Sequence, residues 1–390
     1  MKLVVIGVGQ CGGRIADEFA RLNQRARQTR GMDIIIDSFA VNSDATDLAG
    51  IVTIKPDHHH RILVGAEITR GHGVAKMSEL GAEIARKDGD KVLDTLRRNP
   101  QLFECDAFLI IAGTAGGTGS GAAPVIARLL KQRVSDHPVY ALAVLPFEHE
   151  ENEERAISNT ATCLKSLGEV TDAVFLVENQ RYLGKDASLA KNIRRINLLI
   201  VEPFFNLLCA GEEKNPRHIG AKTVDAGDII QSLSGWSAIG YGQLLKPIIT
   251  LPQDSSPHFY KRGTATEEGI HATDQSVAEL STGIKPAEAH RALFLVSGPY
   301  KELSLRLIQD LEAYLHLLCP QASIRGGDYP MEKGLFDVTV VLSEFGEADT
   351  VRRYYQQASR LQRESEARRQ QRADKTLLAE EAGKDIPTLL

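Results

Sequence analysis

No Cys-x-x-Cys pair occurs in this chain of 390 residues; its five cysteines stand at 11, 105, 163, 209 and 319. That spacing argues against a structural zinc site or a disulfide scaffold and fits a reducing cytosol. No apolar stretch reaches the roughly 18 residues that a membrane-spanning helix needs, so none is expected. Residue 1 opens a strand-like run, Lys2 to Ile6, and no signal peptide is expected. A large charge of either sign is missing too. A formal net charge of -5, with 25% charged residues, leaves no footprint for nucleic acid. His58, His59 and His60 have no Cys or acidic partner at ligand spacing, and adjacent side chains point different ways. They read as a polar loop, and no resident metal ligand set is expected.

What the chain has is glycine in two places that matter. Gly113-Thr114-Ala115-Gly116-Gly117-Thr118-Gly119-Ser120-Gly121 holds five glycines in nine positions. It lies between a buried-strand pattern, Ala107 to Ile111, and an apolar helical stretch, Ala122 to Leu130. A loop with so little side-chain bulk lets another group approach the main chain. Its N–H groups, with those of the following helix N-terminus, form a concavity suited to phosphate. Thr114, Thr118 and Ser120 add hydroxyls. The same order of strand, glycine loop and helix occurs at the start. Lys2 to Ile6 precedes Gly7-Val8-Gly9-Gln10-Cys11-Gly12-Gly13 and a helix over Arg14 to Arg25. Glycines at 7, 9 and 12 satisfy G-x-G-x-x-G, which alone is weak evidence for dinucleotide binding.

Further strands are expected at Ile34 to Val41, Ile51 to Ile54, Val139 to Leu145 and Ala173 to Val177, with helices at 75–85 and 91–98. The alternation predicts a doubly wound α/β domain with sites at the carboxyl ends of its strands. Candidate residues fall at those ends. Asn42 and Asp44 suit a ribose or a base edge equally well. Gly71-His72-Gly73 offers a third glycine turn before a helix. Glu148 to Arg155 brings five carboxylates and an arginine, either a ribose contact or a solvated helix start. Leu189 to Leu208 is a long apolar helix that Pro203 would kink or break. Its Asn197 is either locally satisfied or pairs with a base edge. Asp225 and Asp228 stand three apart at a helix start, as caps or as a carboxylate pair for a water or cation. The central loop lacks the lysine and second glycine of G-x-x-x-x-G-K-[ST], which excludes a P-loop NTPase. Two rich glycine loops and no evident hydride-transfer centre count against an oxidoreductase.

Gly-Gly-Thr-Gly-Ser-Gly at 116–121 is similar to the signature of tubulin and FtsZ. Gly9-Gln10-Cys11-Gly12 resembles the tubulin form of the first nucleotide loop, while Val41 to Ala45 and Leu63 to Ala75 resemble FtsZ in order and spacing. The mixture resembles the archaeal CetZ branch of that superfamily, over residues 1 to about 235 and, by length and order, beyond. The resemblance implies a GTPase that assembles head to tail, with GTP/GDP and Mg²⁺ as ligands. It assigns Gly9, Gln10, Cys11 and Gly12 to the base and α-phosphate side, and Asn42 and Asp44 to the nucleotide's neighbourhood. Gly71, His72 and Gly73 would sense the γ-phosphate, and Gly113, Thr114 and Gly116 to Gly121 would cradle the phosphates. Glu150 and Arg155 would face the ribose, and Asn197 would read guanine. Asp225 and Asp228 would belong to the acidic loop that one subunit inserts into the next. Three departures stand out: Thr223 where an asparagine is usual, one extra residue before Arg155, and Ile193 where an aromatic usually stacks on the base.

The second half reads as a smaller α/β domain. Residues 234–240 are a glycine-punctuated segment around Trp236, residues 251–263 a loop, and 266–280 a helix. Strands are expected at 291–296 and 336–342 with a helix at 303–318 between them. The expected division is 1–188 for GTP binding, 189–239 for the core helix, insertion and acidic loop, 240–345 for the second domain, and 346–390 for a polar helix and loose tail. The arginine-rich helix at 351–375 reads as a solvated face or as a contact for membrane-associated or shape-determining partners. The resemblance implies a cytoplasmic protein, at the inner face of the envelope in one variant, acting on cell shape. A nucleotide-bound scaffold that does not polymerise dynamically is the alternative.

Overall fold

The computed structural model describes residues 1–134, 137–183, 189–245, 259–331, 335–346 and 348–383. In chain order the elements are β1 (Leu3–Val8), α1 (Gly9–Arg30), β2 (Ile35–Asn42), α2 (Ala45–Ala49), β3 (Arg61–Leu63), α3 (Ala66–Thr69) and α4 (Ser78–Arg97). Then come β4 (Ala107–Gly113), α5 (Thr118–Arg133), β5 (Val139–Leu145), α6 (Glu154–Val170), β6 (Ala173–Glu178), α7 (Leu189–Ala210) and α8 (Ala226–Ser232). The remainder is β7 (Gly235–Leu245), α9 (Phe259–Ala278), β8 (Arg291–Gly298), α10 (Leu305–Leu318), β9 (Ser323–Pro330), β10 (Leu335–Phe345) and α11 (Asp349–Gly383).

The strands form one sheet in the order β3-β2-β1-β4-β5-β6-β7-β10-β8-β9. Pairing is parallel from β3 to β7 and between β8 and β9, and antiparallel where β10 meets β7 and β8. This is the doubly wound, mainly parallel α/β architecture expected. Strands buried on both faces read as unbroken apolar runs, and β1 and β4 divide theirs by parity. Leu3, Val5, Leu109 and Ile111 pack with Ile15 and Phe19 of α1 and with Ile196, Ile200, Phe204 and Leu208 of α7. Val4, Ile6, Phe108 and Ile110 pack with Ile84 and Leu93 of α4 and Ile126 and Leu130 of α5. Phe204 meets the rings of Phe19 and Phe175 edge-on, with centroids 6.0 and 4.9 Å away. Helix α7 passes Pro203 without interruption.

Several local expectations are corrected. Residues 51–54 form no strand, because the Asp17 carboxylate takes the N–H groups of Val52, Thr53 and Ile54 at 3.2, 2.6 and 2.8 Å. The edge strand is instead β3. The helices expected at 75–85 and 91–98 are one helix, α4, which starts late because Ala75 and Lys76 have φ of 48° and 59°. Strand β9 was hidden by Gly326, Gly327 and Pro330, which look like a turn but pair with β8 along its length. Helix α9 begins at Phe259, within the stretch expected to be a loop; residues 251–258 lie outside the described residues. Of the expected tail, 376–383 are helical and 384–390 lie outside the described residues.

The glycine-punctuated segment around Trp236 is strand β7. Its glycines serve packing: a Cβ at Gly240 or Gly242 would stand 1.9 Å from the carbonyl oxygens of Ser276 or Ala272 on α9. The helix backbone therefore rests directly on the strand. Gly242→Ala should destabilise the protein by about 1–3 kcal/mol through overpacking. The check is a lower midpoint in denaturant unfolding, with nucleotide affinity unchanged.

Candidate nucleotide site

At the carboxyl ends of β1, β2, β4 and β5 lies a cleft of about 470 Å³, within the range of small-molecule sites. Two helices start in it. Gly9, Gln10 and Cys11 of α1 and Thr118 and Gly119 of α5 line it, and neither N-cap carries a side-chain hydrogen bond. The first-turn N–H groups of both helices thus lack a side-chain acceptor, the arrangement that favours a bound anion. The two loops touch through backbone: Gly9 has φ of 73°, and a Cβ there would meet the Gly119 nitrogen at 2.9 Å. A side chain at either position would separate the two helix starts.

Most of the residues singled out in the sequence are gathered here. Gly9, Gln10, Cys11, Asn42, Asp44, His72, Gly73, Gly113, Thr114, Gly116 to Gly119, Glu150 and Asn197 all line the cleft. Others support it from behind. A Cβ at Gly12 would lie 2.0 Å from the Ile111 carbonyl oxygen, so Gly12 allows α1 to pack on β4. Gly71 accepts from the Ala45 nitrogen at 3.0 Å, bracing α2. The Ser120 hydroxyl bonds back to the Gly116 carbonyl, and Gly121 packs against the start of α4. Of the acidic segment only Glu150 reaches the cleft, with its Oε2 accepting from the Phe147 nitrogen at 3.0 Å. Arg155 is exposed on the first turn of α6, outside the cleft lining. The other acids face elsewhere: Glu153 pairs with Lys76 at 2.6 Å, Glu151 with Arg353 and Tyr354, and Glu154 with Arg368. His60 bonds Asp57 and Asp37, so the histidine run is a structural turn. Burial, then the negative charge of Glu150, pushes the Cys11 thiol up to about 12. It therefore stays protonated at neutral pH and is a packing group, not a nucleophile.

Sequence reasoning missed four contributors. Asp47 accepts from Gln10 Nε2 at 2.6 Å and from Asn42 Nδ2 at 3.1 Å, fixing both amides in the cleft. The spacing Asp44-x-x-Asp47 at a helix start was its signal, since Asp44 caps α2 by accepting from the Thr46 and Asp47 nitrogens. Phe147 and Asn179 join Ile193 and Asn197 on the lining, so an aromatic ring is present after all. Asn159 carried no signal at all. It is buried on α6, and its Nδ2 donates to the carbonyls of Lys76, Ala115 and Gly116 at 2.9, 3.0 and 3.2 Å. One amide thereby ties the 71–77 loop to the 113–121 loop. It also holds Lys76, whose left-handed backbone conformation is costly for a residue with a side chain.

Asp225 and Asp228 are elsewhere. Each caps the other: Asp225 Oδ1 accepts from the Asp228 nitrogen at 2.8 Å, and Asp228 Oδ2 from the Asp225 nitrogen at 3.4 Å. They sit at the other end of α7. Asn197 on α7 lines the cleft at the carboxyl end of β1, whereas the Leu208 carbonyl accepts from the Met1 amino group at the opposite end of that strand, at 3.0 Å. Gly211, just beyond, packs on Val224 and Asp225. The eleven helical steps from Asn197 to Leu208 make that separation about 16 Å at 1.5 Å per residue.

This pairing of two helix-start glycine loops, a core helix and a remote acidic turn defines a nucleotide-binding protein of the tubulin kind. Residues 2–185 match the Tubulin/FtsZ family, GTPase domain, and 186–360 match the Tubulin-like CetZ, C-terminal domain. The chain is 31% identical over 384 residues to tubulin-like protein CetZ3 of Haloferax volcanii, covering 96% of this chain and 95% of the relative. It is 31% identical over 370 residues to CetZ5 of the same organism, covering 90% of each. Among solved structures it superposes on CetZ1 of Haloferax volcanii, a GDP-bound monomer, with a TM-score of 0.78 at 28% identity, covering 93% of this chain and 100% of that one. For CetZ2 of that organism, a GTPγS-bound protofilament, the TM-score is 0.79 at 28% identity, with 94% and 100% covered. The chain belongs to the tubulin-like CetZ family of the tubulin/FtsZ superfamily.

Asn159→Ala should lower stability by about 1–3 kcal/mol, the cost of leaving buried partners unsatisfied. It should also loosen both loops at once. Faster amide hydrogen exchange in 75–77 and 115–117 together, with α1 unaffected, is the expected pattern.

Proposed function

We propose that this protein binds and hydrolyses GTP and assembles head to tail into filaments, each acidic turn completing the nucleotide site of the next subunit. The observation that carries the reading is the separation along α7. The cleft offers backbone donors for phosphates, and its own carboxylates are engaged, Asp44 capping α2, Asp47 holding Gln10 and Asn42, and Glu150 accepting from the Phe147 nitrogen, whereas Asp225 and Asp228 lie at the far end of α7. Stacking subunits along that axis would bring the turn of one onto the cleft of its neighbour, and the CetZ2 relative, solved as a GTPγS-bound protofilament, supports assembly of this kind.

In this reading the N–H groups of 9–11 and 113–119 hold the phosphates and stabilise charge on them. Glu150 faces the ribose, and Asn197 and Asn179 face the base. Among the described residues no group of three or more His, Cys, Asp or Glu forms a ready-made metal cage. Asp44 and Asp47 nevertheless suit Mg²⁺, which takes one or two carboxylates, phosphate oxygens and water. That ion would offset charge on the phosphates. No helix among the described residues is long and apolar enough to cross a membrane. Control of cell shape from the cytoplasm is the cellular role proposed.

Phosphate release from GTP, measured with magnesium against protein concentration, should rise steeply per molecule above a critical concentration. Flat turnover would mean a self-contained site, and tight GTP binding without turnover would favour a nucleotide-bound scaffold. Asp225→Asn and Asp228→Asn keep an oxygen for the capping contacts. Each is expected to retain GTP affinity and lose most turnover, about a hundredfold if the carboxylate orients or activates the water. Parental rates in either would remove that residue from the mechanism.

A further inference from the structure

Asp228 is not held by its helix cap alone. Arg325, on the edge strand β9, donates through Nη1 to Asp228 Oδ1 at 2.9 Å and through Nη2 to Gln231 Oε1, one turn further along α8. The contact is part of a wider attachment of the acidic turn to the second half of the sheet. Asp328 on β9 accepts from the nitrogens of Ala221 and Lys222 at 3.0 and 2.7 Å, and its own nitrogen donates to the Lys222 carbonyl at 2.9 Å. A Cβ at Gly327 would stand 2.0 Å from that same carbonyl. Arg291 on β8 donates to the Gln231 carbonyl at 2.6 Å. Backbone bonds thus seat the turn, while Arg325 is the cation bonded directly to its second carboxylate.

We propose that Arg325 is a positioning residue for hydrolysis. It fixes the orientation of the Asp228 carboxylate and compensates part of the charge that the Asp225–Asp228 pair carries toward a neighbour's phosphates. This rests on the reading that the acidic turn serves the adjacent subunit. Two carboxylates approaching a polyphosphate are repelled, and a guanidinium bonded to one of them weakens that repulsion without blocking its second oxygen. The side chains of Asp228 and Arg325 are 31% and 39% exposed, so the pair faces solvent in the single subunit and would be covered in a head-to-tail contact. An ion pair this exposed adds little to the stability of the fold, and a purely structural role would leave turnover unchanged.

The test is a double-mutant cycle with Arg325→Gln, Asp228→Asn and both together, with Arg325→Lys as the conservative variant. Turnover is followed against protein and GTP concentration, alongside thermal unfolding and nucleotide affinity of the dilute subunit. Arg325→Gln should keep its melting point and GTP affinity while its limiting turnover falls about tenfold, the scale of lost orientation. Arg325→Lys should recover most of that loss, and the double variant should be no slower than Asp228→Asn alone. Parental turnover in Arg325→Gln, or losses that multiply in the double variant, would overturn the assignment while leaving the shared site intact. Flat turnover against protein concentration in the parent would overturn both.

Discussion

The burial of α7 is the constraint on which the rest depends. Ile196, Ile200, Val201, Phe204, Leu207 and Leu208 are almost wholly shielded from solvent, and each such side chain contributes about 1.5–3 kcal/mol through burial. The Phe204 ring is clasped between Phe19 of α1 and Phe175 of β6. A helix held this firmly acts as a fixed spacer. Its first half carries Ile193 and Asn197 into the cleft, and its end meets the chain's amino terminus beneath the sheet. The distance between nucleotide cleft and acidic turn is therefore set by core packing and not by a loop. A subunit with its acids on a mobile loop could complete its own site. One with them on the far end of a buried helix would, in the function proposed, draw them from a second copy.

The cleft itself is built mostly from main chain. Phosphate recognition by N–H groups needs the backbone to be presented bare and held still, and these demands conflict in a glycine loop. The structure resolves the conflict by bracing the loops with side chains around and behind the cleft. Asn159 holds two loops from α6, Ser43 and Thr118 share a hydrogen bond of 2.6 Å, and Asp47 holds Gln10 and Asn42. The left-handed pair Ala75–Lys76 is kept in place by Asn159 on its carbonyl and Glu153 on its ammonium. Strain concentrated beside a ligand site and held by its surroundings suits a loop that must change with the ligand.

The legibility of the sequence follows the same division. Strands buried on both faces announce themselves by apolar runs, and β5 was read to the residue, Val139–Leu145. The glycine loops were readable because close backbone approach leaves a compositional trace. Contacts made by one side chain across a long sequence gap leave none. Asn159 reaches back 83 residues to Lys76, and Arg325 reaches 97 to Asp228. Elements whose glycines serve packing were not read as strands: β7 at Gly240 and Gly242, β9 at Gly326 and Gly327. Residues 51–54 failed in the opposite direction, for an apolar run looked like a strand until Asp17 claimed its donors.

The arginine-rich α11 shows why charge pattern alone misleads. Arg353 pairs with Glu151, Arg368 with Glu154, Arg360 with Glu364 and Arg352 with Asp349, so much of the apparent basic stripe is matched. These pairs lie mostly in solvent, where screening leaves little net stabilisation, and they do not hold the helix down. Its anchor is apolar: Ala348, Val351 and Tyr354 are buried against Leu164, Leu167 and Leu176. Arg353 and Arg368 act instead through the acidic segment. The carboxylates of 150, 151, 153 and 154 are divided among the cleft, Arg353 with Tyr354, Lys76 of the strained loop, and Arg368. A segment with one side chain in the cleft and its neighbours on the strained loop and the last helix cannot shift at one contact without disturbing the others. The pairing with α11 therefore links that helix to the Glu150 side of the cleft.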